Sequence, residues 1–301
     1  MDIIKGRNVA LWIDGEVIVG STDCEFSVKA NTADTTSKTD PGNGMWDNPE
    51  FVNYDFSCSN QSFLCDTSAQ LQTLLRAVIE GEKPILVEFA PVGTGGEGDY
   101  VWSTIQGEAY ITQLTIDATN GEKAKLSLSM EGNGSLTTNT KQKKIVPVPG
   151  KTAINGKALM VAVQRDGEWH TYMAATSHSL TINVQTSDAS HKDVGIHKEI
   201  TGKNVTLSTE NLFAMDDGGD PNDMSQDVCL AVNSILAGQK VRLKFGYYAN
   251  ATPDAESSNW GEPTVTIIEG DFLTTQVQMT APTKGHATYK AEFTSSGEIT
   301  L

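Results

Sequence analysis

The sequence predicts a mainly β protein built from two tandem, similar β-sandwich or barrel domains, each flanked by one short α-helix. Three observations carry this. Apolar and polar residues alternate over most of the chain, Asp-Gly and Asn-Gly turns separate the alternating runs, and the whole order of runs occurs twice. At 301 residues there is room for two ordinary domains. A chain of this size buries roughly 75% of its unfolded surface, so it needs no disulfide or metal staple.

The first run, "NVALWIDG", ends in Asp14-Gly15, and "EVIVGSTDCEFSVKA" returns from that turn. "KPILVEFAP", "YVWSTIQGEAYITQLTID" and "KAKLSLSMEG" follow the same period-two grammar, with Asn120-Gly121 as a further turn. One segment breaks the period. In "DTSAQLQTLLRAVIEG", Leu71, Leu74, Leu75, Val78 and Ile79 fall at helical spacing, Asp66 suits the N-cap and Gly81 follows the last turn.

The stretch "TTNTKQKKIVPVPGK" has two prolines, four basic residues and no periodicity, and reads as a linker. Beyond it the order starts again. "INGKALMVAVQRDGE" mirrors "IKGRNVALWIDGE", with Asp166-Gly167 in place of Asp14-Gly15. "TSHSLTINVQTSDASHK" mirrors "TDCEFSVKANTADTTSK" at a constant spacing of 154 residues, from Thr22–Thr176 to Lys38–Lys192. A second helix, "DMSQDVCLAVNSILAG", carries Val228, Ala231, Val232, Ile235 and Leu236 and stops at Gly238. The closing runs align at a spacing of 163, Gly107 with Gly270 and Leu136 with Ile299. The reading is an internal duplication: a first domain over 1–140, a linker over 141–152 and a second domain over 153–301.

Charge narrows the function. There are 22 basic and 38 acidic residues, a net charge of −16. Residues 1–150 hold 11 basic and 20 acidic residues (net −9), which leaves 11 and 18 (net −7) for the remainder. A chain acidic in both halves lacks the clustered Lys and Arg of a nucleic-acid-binding surface, although DNA could pass it without sticking. The opening residues lack a signal-peptide core, and no stretch reaches the ~20 apolar residues of a membrane-spanning helix. Cys24, Cys58, Cys65 and Cys229 have no metal-ligand spacing and read as reduced thiols.

Signals for chemistry are weak. "GTGGEG" matches GxGxxG, but a strand-like run follows it, and the dinucleotide fingerprint works only where its turn feeds a helix. In "DDGGDPND", Asp216, Asp220 and Asp223 are weak candidates for a cation site. Pro221 stands where a calcium loop requires glycine, and Asp223 suits the N-cap of the second helix. His191 and His197 match no zinc spacing, and there is no GxSxG or HExxH. Neither an enzyme nor a cofactor is expected. Trp12 and Trp102 read as core residues, whereas Trp46 and Trp260 lie in loops as candidates for contact with a partner.

The stretch "IIKGRNVALWIDGEVIVGSTDCEFSVKANTADTTSK" resembles the N-terminal signature of tail tube (major tail) proteins of long-tailed bacteriophages. "GEAYITQLTIDATNGEKAKLSLSMEGNGSL" and "GDFLTTQVQMTAPTKGHATYKAEFTSSGEI" resemble that family's final strands. The second half departs where His191 interrupts the Ser/Thr run after Asp188. The resemblance implies a virion structural protein, phage- or prophage-encoded, made in the bacterial cytoplasm and assembled into the tail. Its partners would be other copies of itself, other tail proteins and DNA in non-specific passage, with no membrane. Six domains make such a ring, so three tandem chains would form a pseudo-hexamer. A tail-end or baseplate hub ring on the same fold is the alternative. A tandem carbohydrate-binding or adhesin module is a third reading.

The polar loops are the expected contact surfaces. They are Thr32, Asp34, Thr36, Lys38 and Trp46 in the first copy, and Thr186, Asp188, His191 and Lys192 in the second. Their polarity suits a segment solvated in the free chain and ordered on assembly.

Overall fold

The computed structural model describes residues 9–34, 49–65, 68–81, 83–91, 103–140, 152–172, 175–189, 195–212, 222–248 and 262–301. The first half contributes β1 (Val9–Ile13), β2 (Glu16–Val17), β3 (Ser21–Asp34), β4 (Pro49–Phe63), α1 (Ser68–Ile79), β5 (Ile85–Pro91), β6 (Ser103–Thr119) and β7 (Lys125–Thr140). A short 3-10 turn at Gly156–Ala158 opens the second half. It is followed by β8 (Leu159–Arg165), β9 (Glu168–Thr171), β10 (Ala175–Ala189), β11 (His197–Leu212), α2 (Asn222–Ala237), β12 (Lys240–Tyr247), β13 (Val265–Thr280) and β14 (Thr288–Thr300).

The mainly β class is as the alternation predicts. Hydrogen bonding links all fourteen strands into one curled antiparallel network. Within the first half the strands lie in the order β2-β1-β5-β6-β7-β4-β3, and within the second in the order β9-β8-β12-β13-β14-β11-β10. Adding seven to each number of the first order gives the second.

Register matches at the residue level. Phe26 stands opposite Cys58, and Cys58 opposite Met130; Leu180 stands opposite Leu207, and Leu207 opposite Phe293. Even the irregularities correspond. In the β3–β4 hairpin the register shifts between Ser21 and Asp23 and between Asn31 and Thr32. In the β10–β11 hairpin it shifts between Ala175 and Ser177 and between Gln185 and Thr186, at the same 154-residue spacing. A bulge re-aims a strand and increases its twist, so matching bulges bend both hairpins in the same places.

Local chemistry explains the hairpins. Asp14 and Asp166 have φ of 48° and 49°, and Gly15 and Gly167 have φ of 86° and 88°. Two consecutive left-handed residues make the type I′ turn whose twist suits a two-residue hairpin. Trp12 lies in the core, while Trp169 lies beneath the Lys244 ammonium, 4.3 Å from the ring centroid. Trp46, Trp102 and Trp260 fall outside the described residues.

The helices differ from each other. On α1, Leu71, Leu74, Leu75 and Val78 are buried, the stripe that the sequence predicts, and the helix lies against β6. On α2 the predicted stripe holds at Val228 and Ala231, with Val232 half-buried, and fails in the last turn. Val228, Ala231 and Ser234 are buried against β13, leaving Ile235 42% and Leu236 79% exposed. Ser234 enters the interior because its hydroxyl finds two partners, Ala231 O at 2.8 Å and Thr274 Oγ1 at 2.6 Å. One contiguous core spans both halves, with Leu114 and Ile116 of β6 beside Leu180 and Ile182 of β10.

Candidate assembly surface

The central feature of the sheet is the seam between its halves. β6 is longer than its neighbour β5. Ile105–Ala109 pair with β5, and the same edge of β6 then continues alone. β10 fills it, with Gln113–Thr119 paired antiparallel to Asn183–Ser177. On one face Leu114, Ile116, Leu180 and Ile182 are at most 1% exposed. On the other, Gln113 Nε2 donates to Asn183 Oδ1 (3.1 Å) and Ser179 Oγ to Asp117 Oδ1 (2.7 Å), with Thr115 and Thr181 hydroxyls 3.5 Å apart. A dry face and a hydrogen-bonded polar face together make a well-specified strand pairing.

His178 sits at this seam opposite Ala118, buried, and neither ring nitrogen has a hydrogen-bond partner among the described residues. Burial disfavours the charged ring and pushes its pKa down to about 4.

The β10–β11 hairpin then reaches over the first half. The backbone amide of Gly134 donates to Ile196 O (2.8 Å), and that of Ile196 to Tyr54 O (3.3 Å). A Cβ on Gly195 would collide with Gly134 O, so glycine lets the two backbones cross here. Next to the crossing, the Lys198 ammonium lies 3.2 Å from Glu131, 3.5 Å from Asp55 and 3.6 Å from Asp188. Thr186 Oγ1 donates to Glu131 at 2.7 Å. Burial opposes the Lys198 charge, but the Glu131 hydrogen bond and the three carboxylates outweigh it and hold its pKa above the ordinary value. Burial likewise raises the Glu131 pKa, and the Thr186 and Lys198 hydrogen bonds more than reverse it, leaving the carboxyl below its usual range. Lys203 completes the seam by capping α1, donating to Ile79 O (2.8 Å) and Gly81 O (3.2 Å).

The predicted loop residues divide accordingly. Thr186 and Asp188 lie at this seam, in contact with the first half or with Lys198. Thr32 stands at the matching end of the β3–β4 hairpin, opposite Phe51, which is 55% exposed; Asp34 pairs in backbone register with Pro49. Thr36, Lys38, Trp46, His191 and Lys192 lie outside the described residues, as do Asp216 and Asp220 and the side chain of Asp223. Among the described residues no His, Cys, Asp and Glu set could hold a metal ion, and no helix is long and apolar enough to cross a membrane.

Sequence reasoning missed Lys198, Glu131 and Asp55. They come from three strands, and a salt-bridged trio has no spacing signature. Missed too was the pairing of β6 with β10, although its signal was present: β6 runs for 17 residues against 7 in β5.

No protein-family profile and no curated protein sequence matches the chain. Among solved structures, the virion of a native gene transfer agent (GTA) particle matches with a TM-score of 0.35 and 17% identity. That match covers 49% of this chain and 97% of that one. The tail of an empty GTA particle, solved by helical refinement with C6 symmetry, also matches at a TM-score of 0.35 and 17% identity, over 50% of this chain and 98% of that one.

Proposed function

We propose that the protein is a non-enzymatic structural subunit of a phage or prophage tail, made of two duplicated tail-tube-like domains. It assembles into stacked rings around a DNA-conducting lumen. The observation that supports this most is the seam: one seven-strand order occurs twice and is joined edge to edge into a single curled sheet. Half of the chain stands to the other half as one wall segment to the next. Two such segments per chain make three chains the stoichiometry of a six-segment ring. The net charge of −16 keeps free subunits apart from each other and repels DNA phosphates, as a conduit requires.

Negative-stain microscopy of concentrated protein is the test. Long hollow tubes are expected, isolated single rings would indicate a terminal hub ring instead, and dispersed monomers at every concentration would overturn both. Removing residues 35–48, the tip of the first polar loop, is expected to leave a folded chain that no longer stacks. Tubes formed by that variant would remove the loop from the contact.

A further inference from the structure

Two strand edges, that of β3 and that of β13 beyond Leu273, repeat the two sides of the seam with no strand paired to them among the described residues. By register, β3 corresponds to β10 and β13 to β6. β10 covers the free edge of β6, whereas β3 pairs only with β4, and β13 beyond Leu273 pairs only with β14, among the described residues. Long strand edges left bare are templates for another strand, and natural proteins normally blunt or cover them.

Exposure follows the same rule. Ile116 is 0% exposed and its counterpart Met279 is 61% exposed; Ile182 is 1% exposed and its counterpart Val28 is 50% exposed. Apolar side chains that complete the core at the seam are thus repeated at these two edges with nothing over them among the described residues.

We propose that the occupant of each edge is a second copy of this chain, joined head to tail, with residues 25–29 of β3 pairing antiparallel with 276–280 of the neighbour's β13. Transferring the seam register sets Phe26 opposite Met279 and Val28 opposite Val277 on the dry face. On the polar face it sets Glu25 opposite Thr280, Ser27 opposite Gln278 and Lys29 opposite Gln276. Every polar pair can hydrogen-bond and none sets like charges together. Met279 meets Phe26, already in contact with Phe56 and Phe89 at centroid distances of 5.7 and 5.8 Å, so a thioether joins an aromatic cluster. The contact uses different surfaces on the two partners, so it closes into a ring or continues as a filament according to the rotation per copy. Continuity with the seam is the argument for a copy over an unrelated partner. This deepens the tail-subunit reading and rests on it only for ring closure.

Val28→Asp blocks one edge and Met279→Asp the other, both at exposed positions where the isolated chain tolerates a charge. Each variant alone is expected to need at least about tenfold more protein to assemble than the unaltered chain. Mixed in equal amounts, they should form a one-to-one dimer and stop, because each supplies the edge that the other retains. Light scattering after gel filtration reads the mass, and unchanged thermal melting shows that both are folded. Register is read separately. Ser27→Cys with Gln278→Cys should give an oxidation ladder of covalent multimers, and Ser27→Cys with Val277→Cys, whose side chains lie on opposite faces, should not. Assembly of both Asp variants as readily as the unaltered chain, or a mixture that stays monomeric, overturns the pairing. Tubes from Asp variants that ignore the block would leave the tail reading standing and remove only this contact. An unaltered chain that never assembles removes both.

Discussion

At matching positions of the two halves, Cys24 in β3 answers to His178 in β10, Pro49 in β4 to Lys198 in β11, and Thr294 in β14 to Glu131 in β7. The apolar positions and the bulges correspond, so both halves reach the same strand order. Three polar positions do not correspond, although Thr186 and Asp188 of the seam match Thr32 and Asp34. The seam has a buried imidazole and a lysine held among three carboxylates. The matching positions away from the seam have a half-buried thiol, a proline and a threonine. Backbone order therefore depends on alternation and turn chemistry, and the identity of each junction depends on a few polar side chains. A chain with one strand order in both halves can specify which of its equivalent edges is internal in this way.

The sharpest way to break this comparison is to place one charge at both members of a matched pair. Ile116→Asp buries an unpaired carboxylate at the seam and is expected to cost more than about 4 kcal/mol, enough to unfold a marginal protein. Met279→Asp, measured where the chain is monomeric, should shift stability by no more than about 0.5 kcal/mol. Urea denaturation midpoints check both, and equal effects would erase the distinction between seam and bare edge.

The next largest effect is the acid sensitivity of the seam. The His178 pKa falls to about 4 on folding, from an unfolded value near 6.5. Between these values the unfolded chain binds the extra proton, so stability is full above about pH 6.5 and falls as pH drops toward 4. At pH 5 the loss is about 2 kcal/mol. His178→Leu should flatten this part of the pH–stability curve, whereas substituting Cys24 should leave it unchanged.

A smaller effect belongs to the carboxylate cluster. Lys198→Met takes the shared cation away from Glu131 and Asp55. Both acids are partly solvated, at 41% and 35% side-chain exposure, so the expected cost is only ~1–2 kcal/mol. Adding Glu131→Gln should recover part of it, as a double-mutant cycle would measure. Smallest is Ser234→Ala on α2. It strands the Thr274 hydroxyl in the interior at a cost of ~1 kcal/mol, again read from denaturation.

Much of the architecture was legible because it is local. Asp14-Gly15 and Asp166-Gly167 specify their turns by backbone conformation alone, and the leucine spacing of α1 fixes its buried face. The last turn of α2 was misread because Ser234 is buried by a partner forty residues away, Thr274, and sequence periodicity scores a serine as solvent-facing. The seam was illegible for a related reason. Nothing near Leu180 states that its neighbour across the strand is Ile116 rather than a residue of another chain, and both readings need the same apolar side chain.

The pairing of β6 with β10 joins two parts of one polypeptide, so its probability of forming does not depend on protein concentration. A contact between chains is governed by mass action and is lost on dilution. In the proposed assembly, dilution would therefore stop at a two-segment piece and never yield a single segment. Growth of that assembly would likewise proceed two segments at a time, with half of the strand-to-strand joints already made before any two molecules meet.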